Sequence, residues 1–320
     1  MQPTTLQSLR LNPTLNRASV APPPTLSGDR VSLVGAPSAT VVDYTGLCEV
    51  VTPDAEYRAS RDPRKPGTEF LSYQPLPYAQ FVDGVRDAFA SALGVEPTTE
   101  SYALAAHGQQ FYGIMAFRDP ELVATGNGIA VSLRSSHNKT FIPALAVGSH
   151  TFVCANGCFP RDSQIGHKHT SHMMHDRMVN GELKLGLPSL IEQRASEARA
   201  VTKELVEAME SLRGIDCSDY RFAAYLGILQ WHGYINDTLA NRARRYWKAC
   251  TQDTDKLYSD HGNRDLFGAL QAVTGGLGGR VAPSGSFRAY GGALHVVQAI
   301  ADNGGETDVI IPALPELAIA

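Results

Sequence analysis

Two apolar periodicities divide this chain. Between Tyr102 and Cys154 apolar residues come in short β-type blocks separated by turns, whereas beyond about residue 183 they recur at three- and four-residue spacing. A strand sends alternate side chains to opposite faces, and a helix brings residues three and four apart onto one stripe. The chain is therefore expected to build a sheet first and a helical layer afterwards.

Within the first part, Tyr102 to Ala106 and Phe111 to Phe117 flank the turn-like His107-Gly108-Gln109-Gln110 and read as a hairpin. Gly128 to Arg134 and Thr140 to Val147 flank the polar turn Ser135-Ser136-His137-Asn138-Lys139, and Thr151 to Cys154 supplies a further short strand. Upstream, Thr40 to Val51 is β-rich with a break at Gly46, and Pro53 to Thr68 is a polar loop made basic by Arg58, Arg61, Arg64 and Lys65. Tyr78 to Leu93 spaces Phe81, Val82, Val85, Phe89 and Leu93 as an amphipathic helix that Gly94 stops. Further helices are expected over Pro188 to Leu212, Asp219 to His232, Asn236 to Cys250, Arg264 to Thr274 and Phe287 to Ile300. This order predicts an α+β fold, an antiparallel β-meander with a packed helix followed by a helical C-terminal part, and not a doubly wound parallel sheet. The division expected is an extended N-terminal arm over 1–40, a β-rich core over 41–180, a helical region over 181–300 and an acidic tail over 301–320.

Composition sets outer limits on function. At 320 residues and 43% hydrophobic content the chain can bury a core without disulfide or metal staples, which excludes mini-protein and disordered classes. The five cysteines are odd in number and scattered, so a secreted disulfide framework is not expected, and the reducing cytoplasm is the expected compartment. Residues 1–28 lack the apolar centre of a signal peptide, and the charge-free run from Thr140 to Pro160 is broken by prolines and polar groups, so no membrane partner is expected. The net charge of -4 argues against a protein that coats nucleic acid through bulk charge. All of that charge can be assigned to Asp302, Glu306, Asp308 and Glu316 in the last twenty residues, which leaves a neutral body with local basic segments.

Catalytic signatures are sparse. His167-Lys168-His169-Thr170-Ser171-His172-Met173-Met174-His175 holds four of the ten histidines. On a helix, His169, His172 and His175 would form a drifting stripe able to share a borderline metal, with Cys154 and Cys158 upstream. No His-Glu-x-x-His pair or Cys-x2-Cys knuckle accompanies them, so no cofactor is expected beyond that metal candidate. Gly275-Gly276-Leu277-Gly278-Gly279-Arg280 lacks the Gly-Lys-Ser/Thr ending of a P-loop and follows a helical pattern, so it reads as a helix end and loop. No residue is nominated as catalytic, which favours a non-enzymatic role.

Basic clusters carry more. Residues 221–250 have a net charge of +4, from Arg221, Arg242, Arg244, Arg245 and Lys248 against Asp237, with Tyr246 and Trp247 adjacent. Helical spacing puts Arg244 and Lys248 on one face and Arg242 and Arg245 on a neighbouring one. Arg134 and Lys139 beside the meander turn, with Arg161 and Lys168 downstream, are further phosphate contacts, and Tyr246 or Trp247 is a candidate to stack on bases.

Several blocks occur together in a familiar order. Leu71-Ser72-Tyr73-Gln74-Pro75-Leu76 precedes a helix. The hairpin from Tyr102 to Phe117 follows, and then Leu133-Arg134-Ser135-Ser136-His137-Asn138 and Phe152-Val153-Cys154-Ala155-Asn156-Gly157. With Lys168-His169-Thr170 and Gln271-Ala272-Val273-Thr274 they resemble the DUF932 family of phage- and plasmid-associated proteins, over about residues 70–275. Ser135, Ser136, His137, Cys154, Asn156, His169 and Thr170 are the positions that match its motifs; Asn138-Lys139 stands where the family usually has Asp-Gly. The resemblance implies a mobile-element context and no assigned mechanism. In that context the expected role is DNA metabolism, as a single-strand binding or annealing factor that forms homo-oligomers. The acidic tail would tether phage or host proteins or compete for the basic surface. A non-enzymatic virion-associated or host-interacting protein, and a metal-dependent enzyme built on the His cluster, are the alternatives.

Overall fold

A computed structural model describes residues 40–59, 67–123, 127–151, 157–159, 163–252, 264–277 and 286–307. The chain is an α+β protein built on one antiparallel sheet in the order β1 (Thr40–Val42), β4 (Pro97–Ala105), β5 (Gln110–Phe117), β6 (Asn127–Ser136) and β7 (Ala144–Thr151). The outer side of β7 pairs with both β8 (Gly157–Cys158) and β9 (Gln164–Gly166). Two exposed hairpins lie outside the sheet, β2 (Glu56–Ala59) with β3 (Glu69–Tyr73), and β10 (Arg177–Val179) with β11 (Glu182–Lys184).

Alternation along the strands makes two cores. Phe111, Met115, Phe117, Ile129, Val131, Leu133, Leu145 and Val147 point to one face, where α2 (Tyr78–Leu93) covers them with Phe81, Val82, Val85 and Phe89. Helix α2 has the bounds its spacing predicts and stops at Gly94, whose left-handed backbone (φ +70°) lets its N–H reach the Ala90 carbonyl at 2.9 Å. On the other face Ala130 and Ala146 meet the helical layer of α5 (Asp219–Trp231), α6 (Asp237–Gln252), α7 (Leu266–Leu277) and α8 (Ser286–Asp302).

Helix α4 (Leu187–Glu210) joins the two cores. Its first half gives Leu187, Ile191, Ala195 and Ala198 to the α2 side, and its second half gives Leu205, Val206 and Met209 to the helical side. Its Gly186 cap lacks a side chain; Asp176 instead accepts from the Gly186 N–H at 2.7 Å and from the Ser189 hydroxyl at 2.9 Å.

Several local expectations change. Thr40 to Val51 is not one broken strand. After β1, the Asp43 carboxylate accepts from the Gly46 N–H at 2.8 Å and starts the one-turn helix α1 (Tyr44–Cys48). Part of the basic loop pairs as β2, with Arg61, Arg64 and Lys65 outside the described residues. Strand β7 begins at Ala144 and not Thr140, because Phe141 to Pro143 form the connection, and it runs on to Thr151, the expected start of a separate strand. A four-residue helix, α3 (Pro120–Val123), follows β5. Gly275 and Gly276 form the expected helix end, within α7, while residues 278–280 lie outside the described residues; a Cβ on Gly275 would come within 2.8 Å of the Tyr246 ring, and one on Gly276 within 2.8 Å of the Ala243 backbone. They are the close crossing of α6 and α7. The arm over 1–39, the strand residues 152–154 and most of the acidic tail lie outside the described residues.

Candidate functional site

The C-terminal end of β6 runs into a concavity of about 500 Å³. Arg134 from β6, Lys139 from the following turn, and Thr140, Phe141 and Ile142 from the β6–β7 connection form one side. The β2–β3 hairpin supplies Arg58, Ser72 and Tyr73, and the segment after β9 supplies His169. Three cations therefore face one hollow, and no carboxylate is among the described residues that line it.

Hydrogen bonds from distant parts of the chain lock these walls together. The Tyr73 hydroxyl donates to the His137 carbonyl at 2.9 Å, and the His137 N–H donates to the Gln109 carbonyl at 2.8 Å. Gln74 and His169 are joined twice, by the Gln74 N–H to the His169 carbonyl at 3.3 Å and by the His169 ring Nδ1 to the Gln74 carbonyl at 3.1 Å. The Ser136 hydroxyl donates to the Phe141 carbonyl at 2.8 Å and closes the turn. The His137 ring stacks on Tyr78 at 4.0 Å between centroids and bonds the Leu76 carbonyl through Nε2 at 3.1 Å. Ser135, Ser136 and His137 are buried, and His169 forms part of the wall of the hollow.

The electrostatics follow from burial. His169 is 8% exposed; burial lowers its pKa to about 4, partly offset by the Gln74 carbonyl, so it is neutral at pH 7. His137 is pushed in the same direction by burial. Burial also lowers the Arg134 pKa from a very high starting value, so the guanidinium stays charged while poorly hydrated. Lys139 sits 4.6 Å above the Tyr73 ring and pairs with Glu56, with its backbone in the left-handed region at φ +63°. Burial, then the charge of Glu56, pushes the Tyr73 phenol up to about 12.

The His stripe does not form. Residues 169–175 are bends and turns and not helix, His169 turns inward, and His172 and His175 are exposed. The described residues contain no cluster of three or more His, Cys, Asp or Glu placed to hold a metal. Thr170 is half-buried beside His169, and Lys168 is exposed. Arg161, Cys154 and Asn156 lie outside the described residues.

Helix α6 presents the second basic group. Arg244, Arg245 and Lys248 are exposed and Arg242 is half-buried. Arg244 donates to Asn241 at 2.9 Å, one turn back. Trp247 does not stand with them, which corrects its expected stacking role. It is 4% exposed, stacks on Phe222 at 4.5 Å and donates its Nε1–H to Asp219 at 2.8 Å. The spacing of Ala240, Ala243 and Trp247 was the signal for that inward stripe. Arg221 is also committed elsewhere, bonding the Asp216 carbonyl at 3.0 Å and Glu306 at 3.1 Å.

Helix α5 runs antiparallel to α6, since Asp219 at its start meets Trp247 near the end of α6, and Gln230 near its end donates to Asp237 at 2.7 Å. Its outward side leaves Tyr220 80% and Trp231 89% exposed, while Tyr246 of α6, against Gly275 of α7, is 42% exposed. Tyr220 and Trp231 lay outside the sequence reading, although they are eleven residues apart and so share a helix face. No helix among the described residues is long and apolar enough to cross a membrane. Comparison of the chain with family models, curated proteins and solved structures finds no match.

Proposed function

We propose that this protein binds single-stranded nucleic acid through the α5–α6 pair, as a non-enzymatic factor of phage or mobile-element DNA metabolism. One observation carries the reading: Arg244, Arg245 and Lys248 are exposed on α6, while the antiparallel α5 leaves Tyr220 and Trp231 bare beside it. Cations meet backbone phosphates without regard to sequence, and aromatic faces stack on any base, so the combination suits an unpaired strand. Duplex DNA offers phosphates but no exposed base faces to Trp231. The resemblance to the DUF932 family supplies the mobile-element context.

The test is binding of oligothymidylate across a salt series. Replacing both Arg244 and Arg245 by Ala is expected to weaken binding at low salt and to flatten its log–log salt slope by about 0.7 per lost phosphate contact. The chain has two tryptophans, of which only Trp231 is solvent-facing, so quenching of its emission reports base stacking directly. Absence of binding at low salt overturns the proposal.

A further inference from the structure

The hollow at the end of β6 has a chemistry that the α6 surface lacks. Arg58 from β2, and Arg134 and Lys139 from β6 and the turn after it, converge on a space with no lining carboxylate, beside Ser72 and Thr140. Lys139 is paired with Glu56 at the rim, while Arg58 and Arg134 repel one another across the concavity, and the low-dielectric walls of Phe141 and Ile142 strengthen that repulsion. A bound anion removes it. With Glu56 offsetting one of the three cations, a net positive charge of two remains, which suits a doubly charged group better than a single carboxylate, and guanidinium forks match phosphate oxygens in geometry. The volume of about 500 Å³ lies in the range of small-molecule sites and far exceeds a bare phosphate, so an organic part enters with the anion.

The left-handed backbone of Lys139 is a second observation. A long side chain at φ +63° is disfavoured where glycine would be at ease, and such strain concentrates at binding sites. Glu56 lies outside the lining and holds Lys139 at the rim, over the Tyr73 ring.

We propose that this hollow is a binding site for a phosphate monoester of nucleotide size, with Arg58, Arg134 and Lys139 holding the phosphate and Phe141 and Ile142 contacting the organic part. The site stands apart from the α5–α6 surface and does not depend on it. Its ligand is either a free nucleoside monophosphate or the phosphorylated end of a strand.

Calorimetric titration of the full chain with adenosine 5′-monophosphate, adenosine, inorganic phosphate, and oligothymidylate with and without a 5′-phosphate separates the possibilities. Adenosine 5′-monophosphate is expected to bind at least tenfold more tightly than adenosine or inorganic phosphate. Arg134→Met and Lys139→Met are each expected to lose at least tenfold, while the Arg244→Ala/Arg245→Ala protein keeps the affinity. Lys139 is on an exposed turn, so its variant remains informative if Arg134→Met fails to fold. Preference for the 5′-phosphorylated oligonucleotide over its unphosphorylated form, with weak binding of the free nucleotide, identifies the strand end as the source and supports the site. Three results overturn the proposal: equal binding of adenosine and its monophosphate, binding of inorganic phosphate as tight as the nucleotide, or no binding of any phosphate monoester.

Discussion

Arg134 and Arg244 carry the same guanidinium into opposite surroundings. Arg134 projects from a sheet strand into a hollow shared with Arg58 and Lys139, where burial has stripped much of its water. Arg244 lies on a helix surface, bonded only locally to Asn241 among the contacts described, in reach of solvent and salt. In sequence both stand in short basic segments, Arg134 with Lys139 and Arg244 with Arg245 and Lys248. Their physics differs, because a screened surface charge weakens within a Debye length of about 8 Å at physiological salt, whereas a charge in a low-dielectric hollow keeps its pull. The α6 face suits a long polyanion held by many weak contacts, and the β6 hollow suits one compact anion held by a few strong ones.

The contrast between buried and exposed chemistry is sharpest at the two tryptophans. Trp247→Ala is expected to destabilise the fold by about 3–5 kcal/mol, since it empties the stack on Phe222 and removes the indole N–H bond to Asp219. Trp231→Ala should shift stability by no more than about 0.5 kcal/mol while removing the fluorescence quench by oligothymidylate. Denaturant unfolding of both variants measures the difference, and similar losses of stability would break it.

Acid is the next largest expected effect. His169 titrates near 6.5 when unfolded and at about 4 when folded, so between those values the unfolded chain binds the extra proton. Stability is therefore complete above about pH 7, falls as pH drops toward 4 by up to about 3 kcal/mol, and changes little from this source below that. Burial of His137 acts in the same direction. Midpoints of urea unfolding from pH 7 to pH 4 should show a shallower decline in His169→Asn than in the native sequence.

Tyr73→Phe removes the donor to the His137 carbonyl and should cost about 1–3 kcal/mol by thermal unfolding, whereas Tyr220→Phe on the bare α5 face should cost almost nothing. Lys139→Gly brings the smallest change. Relief of the left-handed backbone, about 1 kcal/mol, offsets loss of the exposed pair with Glu56, so the melting temperature should stay level or rise slightly while nucleotide affinity falls. A large loss of stability would show that Lys139 serves the turn and not the hollow.

Local patterning made much of the fold legible. The spacing of Phe81, Val82, Val85, Phe89 and Leu93 with Gly94 behind them reproduces α2 to the residue. The paired blocks around His107-Gly108 and Ser135 to Lys139 mark the meander, because turn chemistry and alternation act within a few residues. The His stripe failed because its residues are drawn into turns by contacts made far along the chain. His169 is tied to Gln74, ninety-five positions away, and no helical period survives that tether. Trp247 differs for the opposite reason: its inward stripe with Ala240 and Ala243 is legible in the local spacing, although arginines flank it in sequence.

The sequence by itself determined the α+β class, the meander, the bounds of its first long helix and the presence of basic segments in a neutral body. All of these depend on periodicity, turn residues and charge, which are properties of neighbours in the chain. Only the tertiary structure decided that Arg58, Arg134 and Lys139 share one hollow, that Tyr73 and His169 wall it, and that Trp231 and not Trp247 faces solvent. Those outcomes depend on which distant elements pack together, and burial of the two cores sets that packing.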